Sequence, residues 1–324
     1  MATYKEIFGK QVKQVSSDPS AAISEGQIWF NTAAGVFKTA LNVGAWSSGG
    51  NLGTAKYNLM SANGAPSTAA LAFGGGGPSA LSSTEEYGGT SWTAGGALPT
   101  GKFAGAGAGT QTAGLSFGGR PPSSGATTTE EYDGSSWTGG GAMPVAKMGL
   151  AGCGIQTAAL AFGGSPPTRN TTEEYSSSSW TAGGTLSVAF EDAAGAGTVD
   201  AGLKFGGRGT PTQTTEKYNG SSWTTSGLMN TGRGYLAGAG IQTAALGYGG
   251  KTLPSTYQTS TEDFNGSTWT TSSATMAVTR IQFGGTGATS SGALAFGGEN
   301  AGAGSIATTE EYDKAITTKT LTSS

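Results

Sequence analysis

The chain contains no histidine. That removes Ser-His-Asp and Cys-His catalysis and every zinc or copper site that needs an imidazole. It has a single cysteine, Cys153, so no intramolecular disulfide can form. Cys153 lies in the apolar run Gly149–Ile155 and is expected to be a buried, inert thiol. Charged residues make up only 11% of the chain and the net charge is −3, a weak field that gives no reason to expect nucleic-acid binding. No segment approaches the roughly 18 consecutive apolar residues of a membrane helix. The first residues, Met1 to Phe8, lack the apolar core and cleavage site of a signal peptide. No membrane insertion is expected, and synthesis is expected in a cytoplasm. The glycine-rich run Phe73–Pro78 lacks the Gly-Lys-Ser/Thr ending of a phosphate loop, and no Asp-x-Asp-x-Asp-Gly calcium loop occurs. No metal and no cofactor is expected.

What is abundant is glycine, 59 of 324 residues. Disordered glycine-rich chains are poor in aromatics. This one has 7 Trp, 10 Tyr and 12 Phe, and they recur in register. An aromatic precedes a glycine pair at Phe73, Phe117, Phe162, Phe205, Tyr248 and Phe296. An acidic-aromatic triplet follows each pair and ends at Tyr87, Tyr132, Tyr175, Tyr218, Phe264 and Tyr312. Five residues after the first five triplets stand Trp92, Trp137, Trp180, Trp223 and Trp269.

Successive glycine pairs lie 43 to 48 residues apart, the length of a four-stranded propeller blade. Helical repeats of that length need amphipathic stretches, and Gly, Ser and Thr interrupt every window here. The second repeat predicts an inner strand over 103–109, rich in Gly and Ala because six such strands crowd one axis. An apolar strand follows over 112–117, then a third over 128–132 and an outer one around Trp137. Asp133-Gly134, Asn219-Gly220 and Asn265-Gly266 mark tight turns between the last two strands.

The sixth repeat lacks its tryptophan; Thr317 stands in its place. Trp46 and the residues after it align instead with Trp92 and its followers. Residues 42–49 are therefore expected to supply the outer strand of the last blade and close the ring, with the C-terminal tail as the rival. The expected fold is an all-β, six-bladed β-propeller over 42–314, with blades starting near 53, 98, 143, 186, 229 and 275. Residues 1–41 form a separate N-terminal segment and 315–324 a tail.

The ordered set of Gly-Gly, Glu-x-Tyr and Trp resembles the kelch repeat, six times over. The spacing of five from Tyr to Trp is shorter than is usual in that family. The resemblance implies that the Tyr and Trp residues pack between blades. It also implies a structural role for Glu85, Glu130, Glu173, Glu216, Glu262 and Glu310. It further brings to mind copper enzymes of the galactose-oxidase type, which the absence of histidine speaks against. In residues 1–41, the stretch Ser24 to Lys38, with Ile28, Trp29, Phe30 and Phe37, is similar to a short β-hairpin of phage tail and tail-fibre proteins. Its turn is expected over Asn31–Gly35.

These resemblances imply a non-enzymatic virion structural protein of a tailed phage. It would dock through its N-terminus to other virion proteins of the tail or neck, in several copies per particle, and its propeller would face the host surface or another subunit. Localisation would then be the virion. A host-surface glycan is a further candidate partner. The alternatives are a cellular kelch-type adaptor or adhesin and, less favoured, a carbohydrate-active enzyme. Basic residues recur before the inner strands (Lys56, Lys102, Lys147, Arg233, Arg280, with Glu191 in the fourth register) and after the glycine pairs (Arg120, Arg208, Lys251, with Arg169 further along its loop and Glu299 in the sixth register). Together they suggest a basic crown around one mouth of the channel.

Overall fold

A computed structural model describes residues 12–19, 26–77, 79–121, 125–165, 170–210 and 212–321. Every regular element among them is a strand. The chain divides into two compact units, Trp46–Tyr312 and Met1–Ala45 with Asp313–Ser324.

The larger unit is a β-propeller with five four-stranded antiparallel blades, and the strands of a further, curled sheet. The second blade is typical. Its strands are Ala106–Gly109, Gly114–Phe117, Thr129–Tyr132 and Trp137–Gly139, each next to its chain neighbour. Leu115 and Phe117 in the second strand are fully buried because both faces of the sheet are covered. In the inner strand, a Cβ on Gly107 would come within 2.6 Å of the Phe73 ring and would strike the Ser61 carbonyl of the preceding blade. Glycine there is what lets neighbouring inner strands touch. The turns between third and fourth strands are held by their first side chain. Asp133 Oδ1 accepts the amides of Ser135 and Ser136 at 2.8 Å, and Asn219 and Asn265 do the same in their own turns.

Two sets of bonds tie each sheet to the one before it, and a third does so in four of them. The indoles of Trp92, Trp137, Trp180, Trp223 and Trp269 donate to the hydroxyls of Thr309, Thr84, Thr129, Thr172 and Thr215, at 2.8–3.0 Å. Trp46 donates to Thr261 at 2.9 Å in the same way, and packs on Tyr248 and Tyr312 at ring distances of 5.1 and 5.2 Å. The second glycine of each pair donates to a carbonyl of the following repeat: Gly75 to Lys102, Gly119 to Lys147, Gly164 to Phe190, Gly207 to Arg233, Gly250 to Arg280, and Gly298 back to Lys56. These glycines have positive φ, 118° at Gly75, a conformation open to them because they lack a Cβ. Finally, Tyr132 donates to Glu86 (2.5 Å) and Tyr175 to Glu131 (2.6 Å). Tyr218 bonds Glu174 and Tyr87 bonds Glu311 likewise.

In the curled sheet, Gly284–Thr289 and Gly292–Phe296 are followed in spatial order by Thr309–Thr320 and then by Val36–Gly49. Within the larger unit these last two strands contribute residues 309–312 and 46–49.

The smaller unit pairs Lys13–Val15 in parallel with Ile28–Asn31, which forms a hairpin with Val36–Gly49. The turn is where the sequence places it: the Gly35 amide donates to the Asn31 carbonyl at 2.8 Å. Phe30 and Phe37 meet edge to face at 5.0 Å, Trp29 is fully buried, and Ile28 is exposed. Asp18 gathers the rest. It accepts from Asn31 (2.8 Å), Lys38 (2.6 Å), Trp29 (3.3 Å) and Thr318 (3.4 Å). The Lys38 bond, followed by that of Asn31, holds the Asp18 carboxyl at about 2, below its usual value.

Candidate binding surface

The basic residues before the inner strands are not surface charges. Lys102, Lys147, Arg233 and Arg280 are buried, and each is ion-paired with the first glutamate of its own blade: Glu130 at 2.5 Å, Glu173 at 2.6 Å, Glu262 at 3.0 Å and Glu310 at 2.6 Å. Lys56 meets Glu85 at 2.9 Å. The carboxylates also accept backbone amides, such as Gly53 on Glu85 (2.6 Å) and Ala277 on Glu310 (2.6 Å). Burial pushes the Lys102 and Lys147 amines below their usual range, while their glutamates pull the other way. These pairs clamp the incoming chain to its blade and offer no charge to a ligand.

The fourth repeat corrects the register read from the sequence. The residue equivalent to Lys102 and Arg233 is Phe190, whose carbonyl takes the Gly164 amide, and not Glu191. The missing cation comes from elsewhere. Lys204, on the neighbouring strand opposite Glu216, is fully buried and lies 4.5 Å from the Phe190 ring centre. Burial lowers its amine to about 8 against the pull of Glu216.

The half-buried remainder of the expected crown is Arg120, Arg208 and Lys251; Arg169 lies outside the described residues. Arg120 sits 5.8 Å from the Phe103 ring, opposite it across a β-bridge. Arg208 pairs with Glu191 (3.1 Å) and Asp192 (3.2 Å). Arg208 and Lys251 both lie over Tyr235, at 5.2 and 5.1 Å, and Lys251 also approaches Tyr257 at 5.9 Å. The structure thus brings Arg208 and Lys251 together around one tyrosine.

Two positions after each buried cation, and after Phe190 in the fourth repeat, the chain turns through a left-handed residue at the channel mouth. These residues are Asn58, Ala104, Gly149, Asp192, Tyr235 and Gln282, with φ between 49° and 64°. Their backbones are linked around the axis. Ala104 donates to Asn58 (2.9 Å), Gly149 to Ala104 (2.7 Å), Asp192 to Gly149 (2.8 Å), Tyr235 to Asp192 (2.8 Å), and Asn58 to Gln282 (2.6 Å). They rim a cavity of about 100 Å³. Beneath it a second cavity of about 120 Å³ runs down the axis between the inner strands. Asn63 lines its far end and donates to the Gly152 and Gly195 carbonyls at 3.1 and 2.7 Å, spanning from the first blade to the third and fourth. Burial raises the Asp192 carboxyl to about 6, with Glu191 adding to the rise and Arg208 opposing it. Asn58, Tyr235 and Gln282 do not stand out in the sequence as ligand groups. Each lies two residues after the buried cation of its blade, and that shared position was the signal.

Cys153 is buried and free, and burial lifts its thiol to about 12. Among the described residues no group of three metal-ligating His, Cys, Asp or Glu side chains converges. No helix of the described residues is long and apolar enough to cross a membrane. Compared with known protein families and with curated proteins, the chain matches none.

Proposed function

We propose that this chain is a six-bladed, kelch-like β-propeller that binds and does not catalyse. In this reading it is a structural protein of a tailed-phage particle. Its N-terminal unit holds it to the tail, neck or another virion component, and its propeller faces the host surface or a neighbouring subunit. Six blades are supported by bonds that return to their start, with Gly298 joined to Lys56 and Trp46 to Thr261. A binding role is supported by how the paired carboxylates are used. The first of each pair is held by a buried cation or backbone amides, and four of the second accept tyrosines. A general acid and base would need two carboxyls in distinct environments facing substrate.

The observation that carries the virion assignment is the convergence of Trp29, Asn31 and Lys38 on Asp18. These three belong to the stretch that is similar to phage tail hairpins, and here they build a compact module suited to docking. The test is incorporation: full-length chain and a variant lacking residues 1–41 are supplied to cells producing phage particles. Purified particles should carry the full chain and not the truncated one. Particles carrying neither, or both equally, would overturn the assignment.

A further inference from the structure

We propose that the channel mouth is a sugar-binding site in which Asp192, Tyr235, Gln282 and Asn58 hold one terminal ring of a polysaccharide. The inference rests on the reading of the propeller as a surface-binding module and names its site.

Six equivalent positions rim the mouth, and they are not alike. Asp192, Tyr235, Gln282 and Asn58 follow one another around the rim, joined through backbone bonds at Tyr235–Asp192 and Asn58–Gln282. The other two, Ala104 and Gly149, bring no polar side-chain group. The rim is therefore a polar arc facing a bare one, with a cavity of about 100 Å³ between them. A ligand can lie over the bare side and be held from the other.

The backbone gives a second reason to assign a role to the arc. All six positions have left-handed φ, where glycine is the least strained residue. Glycine is abundant in this chain and fills the third position. Tyr235 and Gln282 gain nothing in backbone energy at φ 58° and 53°. Groups kept against local preference are a mark of functional positions.

The chemistry of the arc selects the ligand. Asp192 takes Arg208 on Oδ2 and has Oδ1 for a hydroxyl, two amides both donate and accept, and Tyr235, over whose ring Arg208 and Lys251 lie, adds a phenol hydroxyl. This mixture suits a ring with several hydroxyls on its edge. It does not suit a simple anion, because the Asp192 carboxylate stands in the arc and Arg208 is already paired with it and with Glu191. The shaft below is narrow, about 120 Å³, and Asn63 bonds across its far end. Only the end of a glycan can enter, so recognition is of a terminal residue.

The test is an array of defined bacterial oligosaccharides probed with full-length chain, followed by titration of the best binders. Binding should require a shared terminal sugar and be competed by that free monosaccharide. Asp192→Asn and Gln282→Gly should each weaken it at least tenfold. Gln282→Gly should leave the melting temperature unchanged or higher, since glycine relieves the left-handed backbone; this separates lost contacts from lost folding. Arg120→Ala should bind as the parent does. Binding that survives both mouth substitutions, or that falls only with Arg120→Ala, overturns the proposal, as does an array with no bound glycan. None of these results bears on particle incorporation, which tests the virion assignment separately.

Discussion

Lys204 Nζ lies 4.5 Å above the ring of Phe190 and faces Glu216 across the sheet, so the fourth blade keeps its buried cation by moving it one strand over. The residues opposite the equivalent glutamates are small: Ala72, Ser116, Ala161 and Gly247. Lysine at 204 and phenylalanine at 190 are thus one exchange. Lys204→Ala leaves Glu216 buried without its cation and should cost about 3 kcal/mol. Adding Phe190→Lys restores the arrangement of the other blades and should recover most of it. Urea denaturation of the two single variants and the double variant measures the coupling.

A similar exchange joins the fourth and fifth blades. In four places a tyrosine of one blade donates to the second glutamate of the blade before. Here Phe264 replaces the tyrosine and Lys217 the glutamate; the amine lies 5.6 Å from the Phe264 ring centre and bonds the Gly266 carbonyl. Lys217→Glu alone should lose about 1 kcal/mol. Lys217→Glu with Phe264→Tyr should return to parental stability by rebuilding the bond seen between Tyr132 and Glu86. Chemical denaturation of the pair checks this.

Asp192 makes the mouth sensitive to pH. Burial, the largest cause, raises its carboxyl from 3.8 to about 6. The folded protein therefore holds a proton that the unfolded chain has released between about pH 4 and pH 6. The stability this contributes is full below pH 4 and is lost as pH rises through 6. Relative to Asp192→Asn, which does not titrate, the parent should lose about 2 kcal/mol between pH 4 and pH 7. Thermal or urea melts of both proteins across that range are the measurement.

Much of the blade was legible in the sequence because its determinants are local. The glycine pairs need positive φ, the Asn-Gly turns cap themselves, and each tryptophan sits at a fixed distance from its tyrosine. The second blade has its four strands within the expected ranges. What was not legible depends on contacts far apart in the chain. Lys102 and Arg280 read as surface charges because their partners, Glu130 and Glu310, lie 28 and 30 residues away. The shift from Glu191 to Phe190 is visible only through the bond from Gly164. Asn63 reaches carbonyls 89 and 132 residues away across the axis, and nothing in its own repeat announces that.

The central structural claim is that the residues around Trp46 close a six-bladed ring. It is tested most directly by the melting temperatures of two truncated chains, one starting at residue 42 and one at residue 50. The first keeps Trp46, its bond to Thr261 and its packing on Tyr248 and Tyr312. It should melt cooperatively, close to the full-length protein. The second loses the outer strand of the last blade and should melt roughly 10 °C lower or fail to fold. Equal melting temperatures for the two would contradict the closure.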